Sequence, residues 1–86
     1  MSDLDDETEA RLLAWAAREG HMVTPDGFVC ERVAALMLGY RGPGALRQQH
    51  NEGRLSPLLR RRRVGSRRWY EVRSIARYLT HSSSES

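Results

Sequence analysis

Arg60-Arg61-Arg62-Arg63-Val64-Gly65-Ser66-Arg67-Arg68-Trp69-Tyr70 is the stretch on which the reading of this chain turns. It sets six arginines around one glycine-centred turn and ends in two aromatics able to anchor that turn to a core. Strands over about 58–63 and 67–71, flanking Val64-Gly65-Ser66, are expected to form a two-stranded hairpin. Gly65 supplies a backbone angle that other residues resist. One of Trp69 and Tyr70 turns inward while the other lies across the sheet, because neighbours along a strand point to opposite faces. No catalytic group stands beside the turn. A projecting cationic hairpin is suited to gripping a polyanion, which makes nucleic-acid binding the first expectation.

Upstream of the hairpin, Cys30 to Leu38 has a helical pattern, with Val33, Ala34, Leu36 and Met37 as its apolar face and Glu31 and Arg32 toward solvent. Gly39 breaks the run, Tyr40 packs behind the turn, and Arg41-Gly42-Pro43-Gly44 brings the chain round. Pro43 is acceptable at the first position of a helix, where its missing amide hydrogen would be unpaired anyway. That helix covers about 43–51 and ends at Glu52-Gly53; Ala45 and Leu46 face inward, while Arg47, Gln48 and His50 or Asn51 project. Two short helices joined by a glycine-containing turn have the dimensions of a helix-turn-helix. Downstream, Val72, Ile75, Ala76 and Leu79 outline a short amphipathic helix with Tyr78 at its edge. The structural anchors expected are Leu36, Tyr40, Leu46, Trp69, Tyr70, Ile75 and Leu79.

The two ends read differently. Residues 1–7 form an acidic flexible terminus, after which Thr8 or Asp6 caps a helix running to about Glu19 and stopped by Gly20. Leu12, Leu13, Trp15 and Ala16 give this helix a partly apolar surface that can pack on the domain, mediate dimerisation or let the acidic helix screen the basic surface. Pro25-Asp26-Gly27 is a turn signal. Residues 81–86 are a serine-rich tail, expected to be disordered, so the domain proper spans 8–80.

Size and charge bound what the chain can be. Its 86 residues have room for one small domain, and a single cysteine rules out an internal disulfide. Cys30 lacks spaced Cys or His companions, so it reads as a buried or half-buried thiol and no metal site or cofactor is expected. Residues 1–31 carry eight acids against two arginines, net −6, and residues 32–86 carry twelve arginines against three acids, net +9. All fourteen basic residues are arginine, whose planar fork suits phosphate and guanine, although genomic base composition gives the same bias. There is no apolar run near 18 residues and no basic-then-apolar leader, so neither a membrane span nor a secretory signal is expected and the location reads as cytoplasmic. The phosphate-loop and dinucleotide fingerprints are missing, and His21, His50 and His81 lie in three different contexts. The chain therefore reads as a binding protein and not an enzyme.

Double-stranded DNA is the partner that fits these groups. Arg47, Gln48, Asn51 and Arg41 are the candidate base readers, since arginine pairs with guanine and glutamine or asparagine with adenine in the major groove. Arg60, Arg61, Arg62, Arg63, Ser66, Arg67 and Arg68 are assigned to the DNA backbone or a minor groove; strand alternation lets only three or four of the six arginines face the duplex. Gly44 and His50 are further candidate contacts, His50 having a structural role as its alternative.

The order of elements resembles the MerR-like winged helix-turn-helix proteins, in particular small phage and plasmid excisionases and AlpA-like regulators. The matching phrases are Val33-Ala34-Ala35-Leu36, Leu38-Gly39-Tyr40, Ala45-Leu46-Arg47, Asn51-Glu52-Gly53-Arg54-Leu55, Arg68-Trp69-Tyr70 and Val72-Arg73-Ser74-Ile75-Ala76-Arg77-Tyr78-Leu79. They cover residues 28–79, and their order and spacing are more specific than any one of them. The resemblance implies an α+β fold: a small winged helix-turn-helix with a two-stranded wing, here with an additional N-terminal helix. It implies that the helix holding Arg47 enters the major groove and that the hairpin is the wing. It further implies either an excisionase-like architectural factor, which bends DNA and directs a recombinase or integrase as copies assemble on adjacent sites, or a small regulator of a phage or plasmid operator. Some small terminase subunits use a related module, and an adaptor binding protein through its acidic first helix is the alternative from another class. This chain departs from the pattern in its glycine- and proline-rich link, Gly39 to Gly44, and in its acidic N-terminal helix.

Overall fold

The computed structural model describes residues 3–84. Four helices and three strands follow in the order α1 (Asp3–Arg18), β1 (Phe28–Cys30), α2 (Glu31–Leu38), α3 (Pro43–Asn51), β2 (Arg61–Val64), β3 (Arg67–Glu71) and α4 (Val72–Ser84). The domain is α+β, and its three strands form one antiparallel sheet in the order β1-β3-β2. The expected hairpin is present, but it is part of a three-stranded sheet. β1 was not anticipated because three residues are too few to display an alternating pattern.

β3 is the central strand. Tyr70 stands opposite Val29 on one side and Arg61 on the other, while Trp69 stands between Cys30 and Arg62. The two-residue connection Gly65-Ser66 closes the hairpin, with the positive φ of 63° on Gly65 alone. A glycine with positive φ at the first central position is what a type II′ turn requires, and such turns follow the natural twist of paired strands. β2 starts three residues later than expected, because Ser56-Pro57-Leu58 forms a turn closed by the Leu59 amide on the Ser56 carbonyl. Ser74 locks the hairpin's root: its hydroxyl accepts from the Arg60 amide and donates to the Glu71 carbonyl.

Tyr70, Val29, Val33, Leu46, Val72 and Ile75 are the largest fully buried side chains, so α2, α3 and α4 share one core against the inner face of the sheet. Tyr40 and Leu79 are half-buried and pack against that core, as expected of anchors. Two expected anchors behave otherwise. Leu36 is exposed (43%), because α2 buries Val33, Ala34, Ala35 and Met37, which leaves Arg32, Leu36 and Gly39 as the outward stripe at helical spacing. Trp69 is half-buried on the opposite face of the sheet from Tyr70, outside the core cluster. Alternation can serve one of the two aromatics only, and Tyr70 takes the core.

α2 ends at Gly39, whose φ of 85° lets the Gly39 amide reach the Leu36 carbonyl and the Tyr40 amide reach the Ala35 carbonyl. Residues 39–42 then suffice to turn the chain, since Pro43 and Gly44 already belong to α3. α3 thus has the bounds expected of it, and only four residues of the glycine- and proline-rich stretch act as link.

α1 begins at Asp3, inside the stretch read as a flexible terminus, and α4 runs on to Ser84 through most of the serine-rich tail. Acidic side chains in the first turn suit the positive end of a helix, and tertiary packing holds the rest. α1 lies along α4, burying Ala16 with Leu12, Leu13 and Trp15 half-buried beside it. Arg73 of α4 pairs with Asp6 at 3.1 Å and with Glu9 at 2.8 Å. Residues 1–2 and 85–86 of the two expected flexible ends lie outside the described residues.

Tyr70→Ala should cost about 3–5 kcal/mol, the usual loss for truncating a large core aromatic. Tyr70→Phe should hold or raise stability, because the Tyr70 hydroxyl is buried without a hydrogen-bond partner and such a group costs roughly 1–3 kcal/mol. Trp69→Ala should cost less than Tyr70→Ala. Urea unfolding of the three variants checks the order; a Trp69→Ala loss as large as that of Tyr70→Ala would contradict this account of the core.

Candidate functional site

The start of α2, the first turns of α3 and the tip of the hairpin meet around a cleft of about 560 Å³. Arg32, Arg47, Arg63, Arg67 and Arg68 line it together with Glu31, Ser66, Cys30 and Pro43. Five arginines thus line a cleft that holds one carboxylate, and two of them, Arg47 and Arg68, pair with it. Each arrives by local geometry. Arg47 follows the buried Leu46 by one position and so projects from the edge of α3. Arg63 and Arg68 are opposite each other across the hairpin, and Arg67 and Ser66 sit at its turn.

Glu31 is the cleft's floor. Its side chain is only 12% exposed, against 58% for Arg47 and 27% for Arg68. Arg47 donates from Nε (3.3 Å) and Nη2 (3.0 Å) to the same Glu31 Oε1. Arg68 Nη1 stands 3.5 Å from Oε2, close enough for an ion pair although Oε2 accepts no hydrogen bond. The Glu31 charge also reaches Tyr70: burial raises the Tyr70 hydroxyl above the ordinary tyrosine pKa, and the carboxylate adds to the shift. Glu31 looked like a solvent-facing residue in the sequence. It shares a stripe with Ala35 and Leu38 at i, i+4 and i+7, which is the signal that could have placed it inward.

The other expected site residues divide by position. Gln48 and Asn51 are exposed on α3 but outside the cleft, and Gln48 Nε2 donates to Glu52 Oε2 at 3.1 Å. Arg41 and Gly44 are exposed where the chain enters α3, with open space at the Gly44 Cβ position. His50 is half-buried; desolvation first, then the Arg68 and Arg61 charges, hold its imidazole below the ordinary histidine pKa. Of the six hairpin arginines, Arg63, Arg67 and Arg68 line the cleft. Arg60 lies at the hairpin's root, 3.9 Å from Glu71, and Arg61 is exposed on β2. Arg62 is engaged elsewhere: its guanidinium lies 4.2 Å over the Phe28 ring and pairs with Asp26. In the sequence Asp26 marked only a turn and Arg32 only a solvent-facing helix position; the fold sets Asp26 against Arg62 and Arg32 on the cleft.

Among the described residues, no group of three or more His, Cys, Asp or Glu stands together to hold a metal ion, and no helix is long and apolar enough to cross a membrane.

The Arg62 hydrogen bond, followed by that from Thr24, lowers the Asp26 pKa from 3.8 to about 2. Its contribution to stability is therefore complete above pH 3.8 and falls away as pH drops toward 2. Asp26→Asn should remove that part of the acid dependence, as measured by urea midpoints across the range. An unchanged profile in the variant would show that the pair does not hold the hairpin to the turn before β1.

No protein-family model, curated protein or solved structure matches the chain.

Proposed function

We propose that the chain is a sequence-specific binder of double-stranded DNA, with α2 and α3 as a helix-turn-helix and the β2–β3 hairpin as its wing. The observation that carries this reading is the convergence of five arginines from three separate elements on one cleft. A surface of that composition attracts a polyanion at long range, and arginine gives each contact a planar, two-pronged geometry. A helix such as α3 is about 10–12 Å across with its side chains, which fits the roughly 12 Å width of the major groove. Arg47, which lines the cleft, is the guanine reader in this proposal, and Gln48 and Asn51, exposed on the same helix, serve neighbouring bases. Arg63, Arg67 and Arg68 with Ser66 serve the phosphates, which position the protein without reading sequence.

Within this reading the resemblance to excisionases supports an architectural role, in which copies on adjacent sites bend the duplex and direct a recombinase. Binding a single operator without bending would make the chain a transcriptional regulator instead. Bend angle and site spacing on the same duplex separate the two.

The test is selection of a duplex from a random pool, followed by competition with unrelated DNA. Arg47→Ala should lose about 1–3 kcal/mol of discrimination at one guanine position. Arg67→Ala should weaken selected and unrelated duplexes alike and lower the log-log salt slope by about one. Failure of any duplex to out-compete unrelated DNA would overturn the proposal.

A further inference from the structure

We infer that Glu31 is a positioning residue for base reading: it fixes the Arg47 guanidinium in the unbound protein so that its free end is already aimed at a guanine edge. This rests on the DNA-binding reading above and adds a residue whose charge has the wrong sign for contact with DNA.

The geometry is specific. A guanidinium has five donors in a rigid fork, and Glu31 takes the Nε–Nη2 side of Arg47 on a single carboxylate oxygen. The Nη1 group and the second Nη2 hydrogen are left at the far end, forming the parallel pair that matches guanine O6 and N7. Glu31 is itself held. Its side chain is almost wholly enclosed at the junction of β1 and α2, with Arg68 on its other oxygen. One carboxylate thereby ties the reading helix to the hairpin and sets the spacing between Arg47 and Arg68.

Two effects follow. A long, rotamer-rich side chain is ordered before binding, so less freedom is lost when the base is met. The carboxylate also withholds Arg47 from indiscriminate contact with phosphates. Glu31 thus favours the right sequence over any sequence. The Arg47 end of the pair is 58% exposed, where solvent screening leaves little contribution to stability, so its role lies in orientation.

The experiment compares wild type, Glu31→Gln and Glu31→Asp on the selected duplex, on that duplex with the guanine replaced, and on unrelated DNA across a salt series. Wild type should prefer the guanine, and both variants should lose roughly five- to a hundredfold of that preference. Glu31→Gln should bind unrelated DNA more tightly, with a steeper salt slope, because Arg47 is released. Glu31→Asp keeps the charge and should raise unrelated binding less than Glu31→Gln does. In an Arg47→Ala background, Glu31→Gln should leave base preference unaltered. In the free protein, the Arg47 Nε–H signal should be protected from exchange in wild type and lost in both variants, a readout independent of DNA.

Retention of the guanine preference by either folded variant would overturn the inference while leaving DNA binding intact. Equal weakening on all duplexes would also overturn it, by assigning Glu31 to the fold alone. A wild-type protein that does not distinguish duplexes would refute the DNA-binding reading and this inference with it.

Discussion

Burial of Tyr70 under the helices orients the whole hairpin. β3 lies between β1 and β2, and its alternation ties every other side chain to the one that fills the core. With Tyr70 inward, Arg68 shares its face and reaches Glu31, while Trp69 lies on the opposite face. A one-residue slip would reverse all of them. The fully buried Val29 opposite Tyr70, and the Ser74 hydroxyl at the hairpin's root, hold the register. The direction of the arginines is thus decided by packing, although the arginines themselves add little to it.

Charge is arranged on that frame in pairs of unequal character. Arg73 spends its charge on Asp6 and Glu9, securing α1 to α4, and Arg62 is held by Asp26 and the Phe28 ring. Around the cleft the balance differs, with five guanidinium groups and a single enclosed carboxylate. Like charges brought together by a fold raise its energy, and an anionic ligand relieves that cost. The depressed His50 pKa is a local sign of the same field, after desolvation.

Much of this architecture could be read from the residues. Pro43 and Gly53 bracket α3, Gly39 ends α2, and Gly65 marks the turn, because each answers a local backbone demand. What escaped the sequence depends on tertiary partners. β1 is three residues long and exists as a strand because β3 lies beside it. α1 starts at Asp3 because α4 offers Arg73 to the acids that looked like a frayed end. Leu36 and Glu31 exchanged their expected environments, since eight residues of α2 contain too few turns for periodicity alone to fix which face is inward. The cleft was legible as a basic hairpin beside a helix bearing Arg47, yet the carboxylate at its base was not. Its partners lie 16 and 37 residues away in the chain.

The most direct test of the cleft as a duplex-binding surface is a backbone amide NMR titration with a selected duplex. Binding there predicts the largest shifts at Arg47, Ser66, Arg67 and Arg68, with α1 nearly unmoved. Shifts concentrated on α1, or none at duplex excess, would contradict it.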